Sequence, residues 1–459
     1  MFPLIVFPYI SRVLGPAGIG QVTFIESICR YAILISALGI PIYGVREVAR
    51  IKENRAKIKE LVSEILAIHF LSTFVIVFIY IFLVFTFSIL KENLNFYLYG
   101  IVFIISNIFN VEWYFQGIEE FKFITIRSIL VKSVVTVLTF MLVKNNADQI
   151  LYFLTIVLTL CLNAFFNFYF LLKRTSISIV KFPSLKKHIK PLFYIFSSTA
   201  FVSIYTLSDT ILLGLLSDKH EVGLYTIGQK LSRIPILFIG AMSLVLIPKL
   251  ATYFKNDDHK MFNRILTQSF EFVVFFSIPI IFFIIGNSNY IITEFAGADF
   301  NKSSQILIIL SLLSLLVGLS NIFGLQILTP SGNDKYFTIS VFFGMIVSVV
   351  LNYFLIPIYG APAAAFSSVI SEIFVTIITY YYACKLVSLK LNFFLVLKIS
   401  IFSLPIILFS FLTSLVSINL FLAFFCNLFF CFLYTYLLHY YILKTPFFLK
   451  LKESIIDLI

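Results

Sequence analysis

Three basic residues of this sequence lie where cations are rare, inside long apolar segments: Arg30, Lys230 and Arg233. At a rise of about 1.5 Å per residue, they would lie roughly 12–17 Å deep in membrane-spanning helices. A cation at that depth costs roughly 2.5–3.5 kcal/mol, so it needs a partner or a use. Lys230 and Arg233 are three residues apart and share one helix face. The chemistry that such residues offer is the attraction of an anionic group into the membrane interior.

The surroundings of these cations occur twice in the chain. The first copy runs from Pro8 to Arg50 and the weaker second copy runs from Ser208 to Gly240. The two copies align on Gly20 and Gly223. In that alignment Arg30 coincides with Arg233, and Glu26 coincides with Gln229. Two copies of one unit, each with a cation at the same depth, favour a functional role for the cations.

Acidic residues near the cations leave two interpretations open. Glu26 lies one turn before Arg30, and Asp209 lies deep in the preceding span of the second copy. In the first interpretation the charges form structural pairs: Arg30 pairs with Glu26, and Lys230 or Arg233 pairs with Asp209. In the second, which we favour, Arg30, Lys230 and Arg233 bind substrate in a water-filled cationic lumen. Glu26 and Asp209 are then partners of these cations in the lumen.

Four other charged residues are weaker candidates. Glu372 lies in the middle of an apolar segment and is a candidate for coupling to protons or cations. Lys132 lies a turn or two inside its span, from where its ammonium can snorkel to the cytoplasmic surface. Glu112 lies near the cytoplasmic end of its span, and Arg12 lies in a polar turn. We expect no catalytic residue, no metal and no cofactor, apart from coupling to a proton or sodium gradient.

The composition predicts an all-α polytopic membrane protein. The 459-residue chain is 60% hydrophobic and only 12% charged, with a mean hydropathy of +1.02. Soluble domains contain about 25% charged residues. The net charge of +12 does not indicate nucleic-acid binding, because the cations gather in alternate loops, as membrane orientation requires.

Apolar runs predict about 14 transmembrane helices. The first ends near Ile10, is too short to span, and is expected to begin upstream of Met1. A polar turn, Ser11–Gly20, follows it. The other predicted spans are 22–44, 61–88, 96–116, 127–143, 150–172, 191–216, 222–248, 268–286, 304–328, 337–357, 361–384, 393–415 and 419–443.

The repeat predicts two parallel six-helix lobes, an arrangement in which transporters place the substrate path between the lobes. We expect an N-terminal lobe at 1–175, a basic cytoplasmic linker at 176–190 and a C-terminal lobe at 191–385. Residues 386–459 would hold helices 13 and 14 and a cytoplasmic tail. The side on which lysine and arginine gather predicts that both termini are cytoplasmic.

Five segments of the chain form recognisable motifs: PYISRVLGPAGIGQ, ALGIPIYGVREVARI, VEWYFQGIEEFKFITIRS, SDTILLG and VGLYTIGQKLSRIP. They resemble the Wzx-type polysaccharide-biosynthesis flippases of the MOP superfamily, which also holds MATE transporters and the lipid II flippase MurJ. The resemblance runs from about residue 3 to residue 390. The first and third of these motifs are the most specific.

The resemblance implies a flippase, not an enzyme. Its substrate would be an undecaprenyl-pyrophosphate-linked oligosaccharide, moved from the cytoplasmic to the periplasmic leaflet of the bacterial inner membrane. The product would enter O-antigen, capsule or exopolysaccharide synthesis, with a polymerase and a chain-length regulator as partners. The lobes would rock between inward- and outward-open states, and the pyrophosphate would map onto Arg30, Lys230 and Arg233.

Three other interpretations stay open at this point, one of which, a purely structural membrane scaffold, would not explain the paired cations near the middle of the membrane. A MATE-like small-molecule antiporter has the same lobes, but three lumen cations disfavour the cationic drugs that such antiporters extrude. A membrane-embedded polysaccharide polymerase would need a substantial periplasmic loop, and no outer loop exceeds about twenty residues. The sequence also holds no phosphate-binding glycine loop with lysine and no HExxH motif.

Overall fold

The computed structural model describes residues 2–91, 93–178, 182–389, 391–415, 420–438 and 441. Within these ranges the secondary structure is helical, and no strand occurs. A helix satisfies its backbone N–H and C=O groups internally, which is what a segment surrounded by hydrocarbon requires. The predicted all-α class is therefore confirmed.

The helices are long enough to make this an integral, multi-pass membrane protein. Among the described residues, 11 helical segments have the length and apolar character needed to cross a membrane. Two shorter apolar helical segments, Leu207–Leu216 and Leu422–Leu437, accompany them. The predicted spans from 61–88 to 393–415 each overlap one of these helical segments, although only Leu207–Leu216 of the span at 191–216 is among them. The span predicted at 419–443 overlaps Leu422–Leu437, and its remaining parts and the predicted tail lie largely outside the described residues.

The chain forms two compact units, Met1–Gly223 and Leu224–Ile459. Nine α-helices lie wholly in the described part of unit 1, which also holds the start of a tenth and short 3-10 turns at Asn107–Phe109 and Asn146–Asp148. They are α1 (Phe2–Ala37), α2 (Ile40–Ile51), α3 (Arg55–Thr86), α4 (Ser88–Lys91), α5 (Leu94–Ser106), α6 (Glu112–Gly117), α7 (Phe121–Leu142), α8 (Gln149–Arg174) and α9 (Phe182–Leu216).

Unit 2 begins inside α10 (Lys219–Lys255) and is also helical where it is described. A π-helical turn at Ile322–Leu328 follows α13 and contributes to the core. The remaining helices are α11 (His259–Ala296), α12 (Ser303–Ser311), α13 (Leu313–Asn321), α14 (Asp334–Tyr359), α15 (Ala361–Leu386), α16 (Phe394–Leu415) and α17 (Leu420–Leu437).

The break in α1 is shorter than the predicted turn at Ser11–Gly20. Helical structure continues through this segment except at Gly15, whose φ of 65° and ψ of 179° are not helical. A side chain at that φ would be strained, and glycine is not. The polar residues of this segment therefore belong to a helix with one break.

The span predicted at 22–44 also ends earlier, because the chain turns after Ala37. Leu38 and Gly39 both have positive φ angles, and α2 starts at Ile40 in a new direction. One face of α2 packs on α6, where the Trp113 ring covers Gly44. These contacts belong to an apolar core that also includes Val62 of α3.

The start of α10 packs against α1 with almost no space between the two backbones. A Cβ atom added at Gly20 would lie 1.6 Å from the carbonyl oxygen of Lys219. A Cβ atom added at Gly223 would lie 1.9 Å from the carbonyl oxygen of Pro16. Small residues permit this kind of close helix contact inside membranes. The two glycines that align in the sequence repeat therefore meet within unit 1.

Unit 2 has its own aromatic and aliphatic core. Phe262 and Phe270 of α11 are fully buried, as is Phe323 of the π-helical turn. Ile399 of α16 packs in the same cluster. The core therefore fixes α11, α13 and α16 against one another, and α11 and α16 make extensive contact.

Candidate functional site

Arg30 forms an ion pair on α1 and still presents half of its side chain to open space. Its Nη2 and Nε atoms lie 2.6 and 2.7 Å from Oε1 of Glu26. The exposed fractions of the two side chains are 52% and 20%. The ring of Phe103, on α5, lies 5.9 Å from the guanidinium carbon. The pairing of Arg30 with Glu26, which the structural interpretation predicted, is therefore present. The guanidinium also keeps N–H groups that an anion can reach.

A strip of polar residues on α8 lies beside this ion pair. Tyr152 lies near Glu26, and α8 packs on α1. From Tyr152 the strip continues at intervals of three or four residues, which keeps it on one helix face. Its members are Tyr152, Thr155, Thr159, Asn163 and Asn167. The strip gives a membrane-spanning helix a hydrophilic face.

The α8 strip holds buried polar atoms that the protein does not satisfy. The amide nitrogen of Asn163 donates to the carbonyl oxygen of Thr159 at 2.7 Å. The side-chain oxygens of Asn163 and Asn167 are buried without a hydrogen-bond partner among the described residues. A buried unsatisfied polar group costs about 1–3 kcal/mol, so these oxygens favour water or a polar ligand nearby. Sequence analysis missed this strip, although its spacing is visible in the sequence.

Asp209 is buried on α9, a helix that packs on α1. It is 4% exposed, and its neighbours Ser208 and Thr210 are also buried. Tyr31 of α1 interacts electrostatically with Asp209 and donates a hydrogen bond to the carbonyl oxygen of Ile204 at 3.0 Å. Asp209 therefore belongs to the polar part of unit 1.

Lys230 and Arg233 are both exposed on α10. Their face of the helix continues through Leu237 and Leu244, which are 71% and 69% exposed. Gln229 donates to the hydroxyl of Tyr225 at 3.4 Å. Because Gln229 carries no charge, it does not neutralise its neighbours as Glu26 neutralises Arg30.

Glu372 is a buried carboxyl group in unit 2. It is 4% exposed, and the hydroxyl of Ser320 donates to its Oε1 at 2.6 Å. Thr376, one turn further along α15, donates to the carbonyl oxygen of Leu316 on α13 at 3.2 Å. Glu372 therefore lies in a hydrogen-bonded contact between α13 and α15.

Glu112 has a structural partner that the sequence did not indicate. Its Oε2 accepts a hydrogen bond from Nη2 of Arg127 at 2.6 Å, and its Oε1 accepts one from Gln116 at 3.2 Å. The Arg127 side chain is 5% exposed, so the pair fastens α6 to α7 within the protein. Arg12 and Lys132 are exposed.

A second polar network joins α2, α3 and α9 at the end of unit 1 where the basic loops lie. Nδ1 of His188 lies 2.6 Å from the hydroxyl of Tyr43, and its Nε2 lies 2.8 Å from Oε2 of Glu64. All three residues are buried. Lys187 also reaches Oε2 of Glu64 at 2.8 Å, and this hydrogen bond raises the pKa of Lys187. The network was not predicted, because its members are far apart in sequence.

The sequence matches two protein families. The family described as polysaccharide biosynthesis protein matches residues 1–254, and the MatE family matches residues 195–354. A putative O-antigen transporter of Shigella dysenteriae is 23% identical over 387 residues, which cover 82% of this chain and 94% of that protein. A probable low-salt glycan biosynthesis flippase of Haloferax volcanii is 27% identical over 191 residues, which cover 41% of this chain and 40% of that protein.

The fold is similar to those of solved transporters. The lipid II flippase MurJ in an inward closed conformation has a TM-score of 0.69 at 16% identity, covering 95% of this chain and 96% of that chain. An inward-facing multidrug resistance MATE transporter of the MOP superfamily has a TM-score of 0.68 at 12% identity, covering 84% and 93%. These similarities establish the fold, and the match over residues 1–254 spans more than half of the sequence. The chain therefore belongs to the polysaccharide biosynthesis protein family.

Proposed function

We propose that this protein is a flippase for an undecaprenyl-pyrophosphate-linked oligosaccharide. It would move the sugar unit from the cytoplasmic to the periplasmic leaflet for O-antigen, capsule or exopolysaccharide synthesis. The related O-antigen transporter and glycan flippase support this substrate class. Their names describe transport, in agreement with the prediction that the chain is not an enzyme.

The observation that carries the proposal is the accessible guanidinium of Arg30 inside an apolar, membrane-spanning helix. Glu26 occupies only Nε and Nη2, so the remaining N–H groups can bind phosphate oxygens. Guanidinium and phosphate groups form short, charge-assisted hydrogen bonds of matching geometry. Lys230 and Arg233, exposed on α10, would provide the further cations of a path for the pyrophosphate.

The polar face of α8 is consistent with a substrate that carries a sugar. A sugar hydroxyl that enters hydrocarbon without a partner costs several kcal/mol. The unsatisfied oxygens of Asn163 and Asn167 are acceptors for such hydroxyls or for the water around them. The polyprenyl tail, which is apolar, would remain in lipid during the movement.

Membrane voltage favours the same direction. An inside-negative potential drives an anionic head outward by roughly 2.3 kcal/mol per charge for each 100 mV. We propose that the empty carrier is reset by coupling to a proton or sodium gradient, with Glu372 as the coupling group. Its burial and its hydrogen bond to Ser320 support a protonation site.

The proposed mechanism is alternating access in the inner membrane, with both termini in the cytoplasm. Two six-helix lobes, 1–175 and 191–385, would be joined by the basic linker 176–190, and residues 386–459 would form the additional helices and the tail. A polymerase and a chain-length regulator of the same pathway would receive the flipped unit. The concentration of Lys and Arg in alternate loops supports this orientation.

Reconstitution of the purified protein tests the proposal directly. Proteoliposomes would carry a lipid-linked oligosaccharide with a labelled sugar, and an added lectin would report the sugar that reaches the outer leaflet. We expect flipping by the native protein, and loss of flipping in Arg30→Gln and Arg233→Gln at normal incorporation. Lys302→Gln, which removes an exposed cation from a loop, is the matched control.

Two outcomes would overturn parts of this function. Normal flipping by both arginine variants would remove the arginines from the substrate path. Absence of flipping by the native protein, together with proton-driven efflux of a cationic dye, would identify a MATE-like antiporter. That alternative has support from the MatE match over residues 195–354.

A further inference from the structure

Unit 2 contains a cavity of about 520 Å³ where α10 ends and α11 begins. Its volume lies within the range of about 300–1,000 Å³ that is typical of sites for small ligands. The lining residues on each helix are spaced by three or four positions, apart from one adjacent pair on α10 and one on α11. They are Met242, Leu246, Lys249, Thr252, Tyr253, Met261, Arg264, Ile265 and Gln268.

Two cations line this cavity, Lys249 on α10 and Arg264 on α11. Both are exposed, and neither has an ion pair within the described part of the chain. The nearby carboxylate of Asp258 caps α11 by accepting a hydrogen bond from the backbone N–H of Met261 at 3.0 Å. The cavity therefore presents two positive charges, one of which has the planar donor geometry that suits phosphate.

The cavity is amphipathic along α10. Met242 and Leu246 lie toward the middle of the apolar helix, whereas Lys249, Thr252 and Tyr253 lie toward its end. Ten residues separate Met242 from Thr252, or about 15 Å along the helix axis. This order matches an amphiphile whose charged head lies at the membrane boundary and whose tail points inward. Met242 is flexible enough to adapt to an acyl chain.

We propose that this cavity binds the phosphate headgroup of an anionic membrane phospholipid. Arg264 donates to two phosphate oxygens, Lys249 neutralises the remaining charge, and Gln268 and Tyr253 hydrogen-bond the headgroup. Basic pockets between membrane helices are suited to anionic lipid heads. The proposal does not depend on the transported substrate, because it concerns residues outside the proposed path of Arg30 and Arg233.

A pyrophosphate of the transported lipid offers the same chemistry as a phospholipid phosphate. Two cations can neutralise either group, but a cavity of this size holds one small headgroup. An attached oligosaccharide would have to extend out of the cavity. The volume therefore favours the bulk phospholipid.

Native mass spectrometry of the full chain tests this assignment. The protein would be released from nanodiscs that contain phosphatidylglycerol and phosphatidylcholine, and the retained lipid would be counted. We expect Lys249→Gln/Arg264→Gln to weaken retention of one phosphatidylglycerol by about tenfold or more, since two charge-assisted contacts are lost. Lys255→Gln/Lys260→Gln removes two exposed cations from the same end of the unit but none from the cavity. This control should retain the lipid.

Competition identifies the source of the phosphate. Undecaprenyl pyrophosphate that displaces the lipid at equimolar ratio, or inorganic phosphate that does so at millimolar concentration, would overturn the phospholipid assignment. Equal retention by the cavity variant and the control would also overturn it. If the double variant does not fold, Arg264→Lys preserves the charge but loses the bidentate geometry, and weaker retention is still expected.

Discussion

Adding one methyl group at Gly20 or Gly223 should destabilise the protein strongly. The new Cβ atom would lie 1.6 Å from the carbonyl oxygen of Lys219 in Gly20→Ala and 1.9 Å from that of Pro16 in Gly223→Ala. Ordinary contacts begin at 3.4 Å, so the backbones would have to separate by about 1.5–1.8 Å. Both clashes are with backbone atoms, so a change of side-chain rotamer cannot relieve them.

The loss of stability in these two variants can be estimated from the known effect of overpacking a protein interior. Overpacking typically lowers the free energy of unfolding by about 1–3 kcal/mol. We expect each variant to lie at the upper end of this range, because no side chain can move to relieve the clash. For a chain of 459 residues, about 3 kcal/mol lowers the apparent unfolding temperature by about 3 °C. The temperature can be measured by the fluorescence of a thiol-reactive dye on detergent-solubilised protein, because Cys29 and Cys431 are buried.

Gly240→Ala is the matched control on the same helix. No atom lies within 4 Å of a Cβ atom at Gly240. Alanine is better than glycine in a helix by up to about 1 kcal/mol, so this variant should be as stable as the native protein or more stable. A native unfolding temperature in both Gly20→Ala and Gly223→Ala would refute the close contact. An equal loss in all three variants would assign the effect to glycine itself.

Two buried groups give further predictions. His188→Ala should lower stability by about 3 kcal/mol, because it removes a partner of Glu64 and of Tyr43 in a buried network. Lys186→Ala, at an exposed neighbouring position, should have no such effect in the same unfolding assay. Glu372→Gln should preserve folding, because the amide can still accept a hydrogen bond from Ser320. In proteoliposomes it should abolish the dependence of transport on the pH gradient, and an unchanged dependence would exclude coupling at this residue.

The positions of the helices could be predicted because each membrane crossing needs a long apolar run. The spans predicted at 150–172 and 361–384 are helices at Gln149–Arg174 and Ala361–Leu386. The beginnings of α9 and α11 were missed, because these helices start in polar segments at Phe182 and His259. Hydropathy predicts only the apolar part of a helix, which lies in lipid. Backbone hydrogen bonds and a cap can extend the same helix into a polar segment.

Pairing within one helix could also be predicted, but pairing between helices could not. The spacing of Glu26 and Arg30 is sufficient to predict their ion pair. Nothing in the spacing joins Glu112 to Arg127 or His188 to Glu64, because these contacts depend on how the helices pack. The division of the predicted span 304–328 into α12, α13 and a π-helical turn likewise has no hydropathy signal.

The proposed outward movement of a lipid-linked oligosaccharide is tested most directly by measuring in which leaflet that lipid accumulates when the protein is absent. Spheroplasts of a strain without this protein would be probed with an impermeant lectin before and after lysis. We predict that the accumulated lipid is labelled only after lysis, and that expression of the native chain, but not of Arg30→Gln, moves the label to the intact surface. Accumulated lipid already labelled on intact spheroplasts would show that flipping proceeds without this protein and would contradict the proposed function.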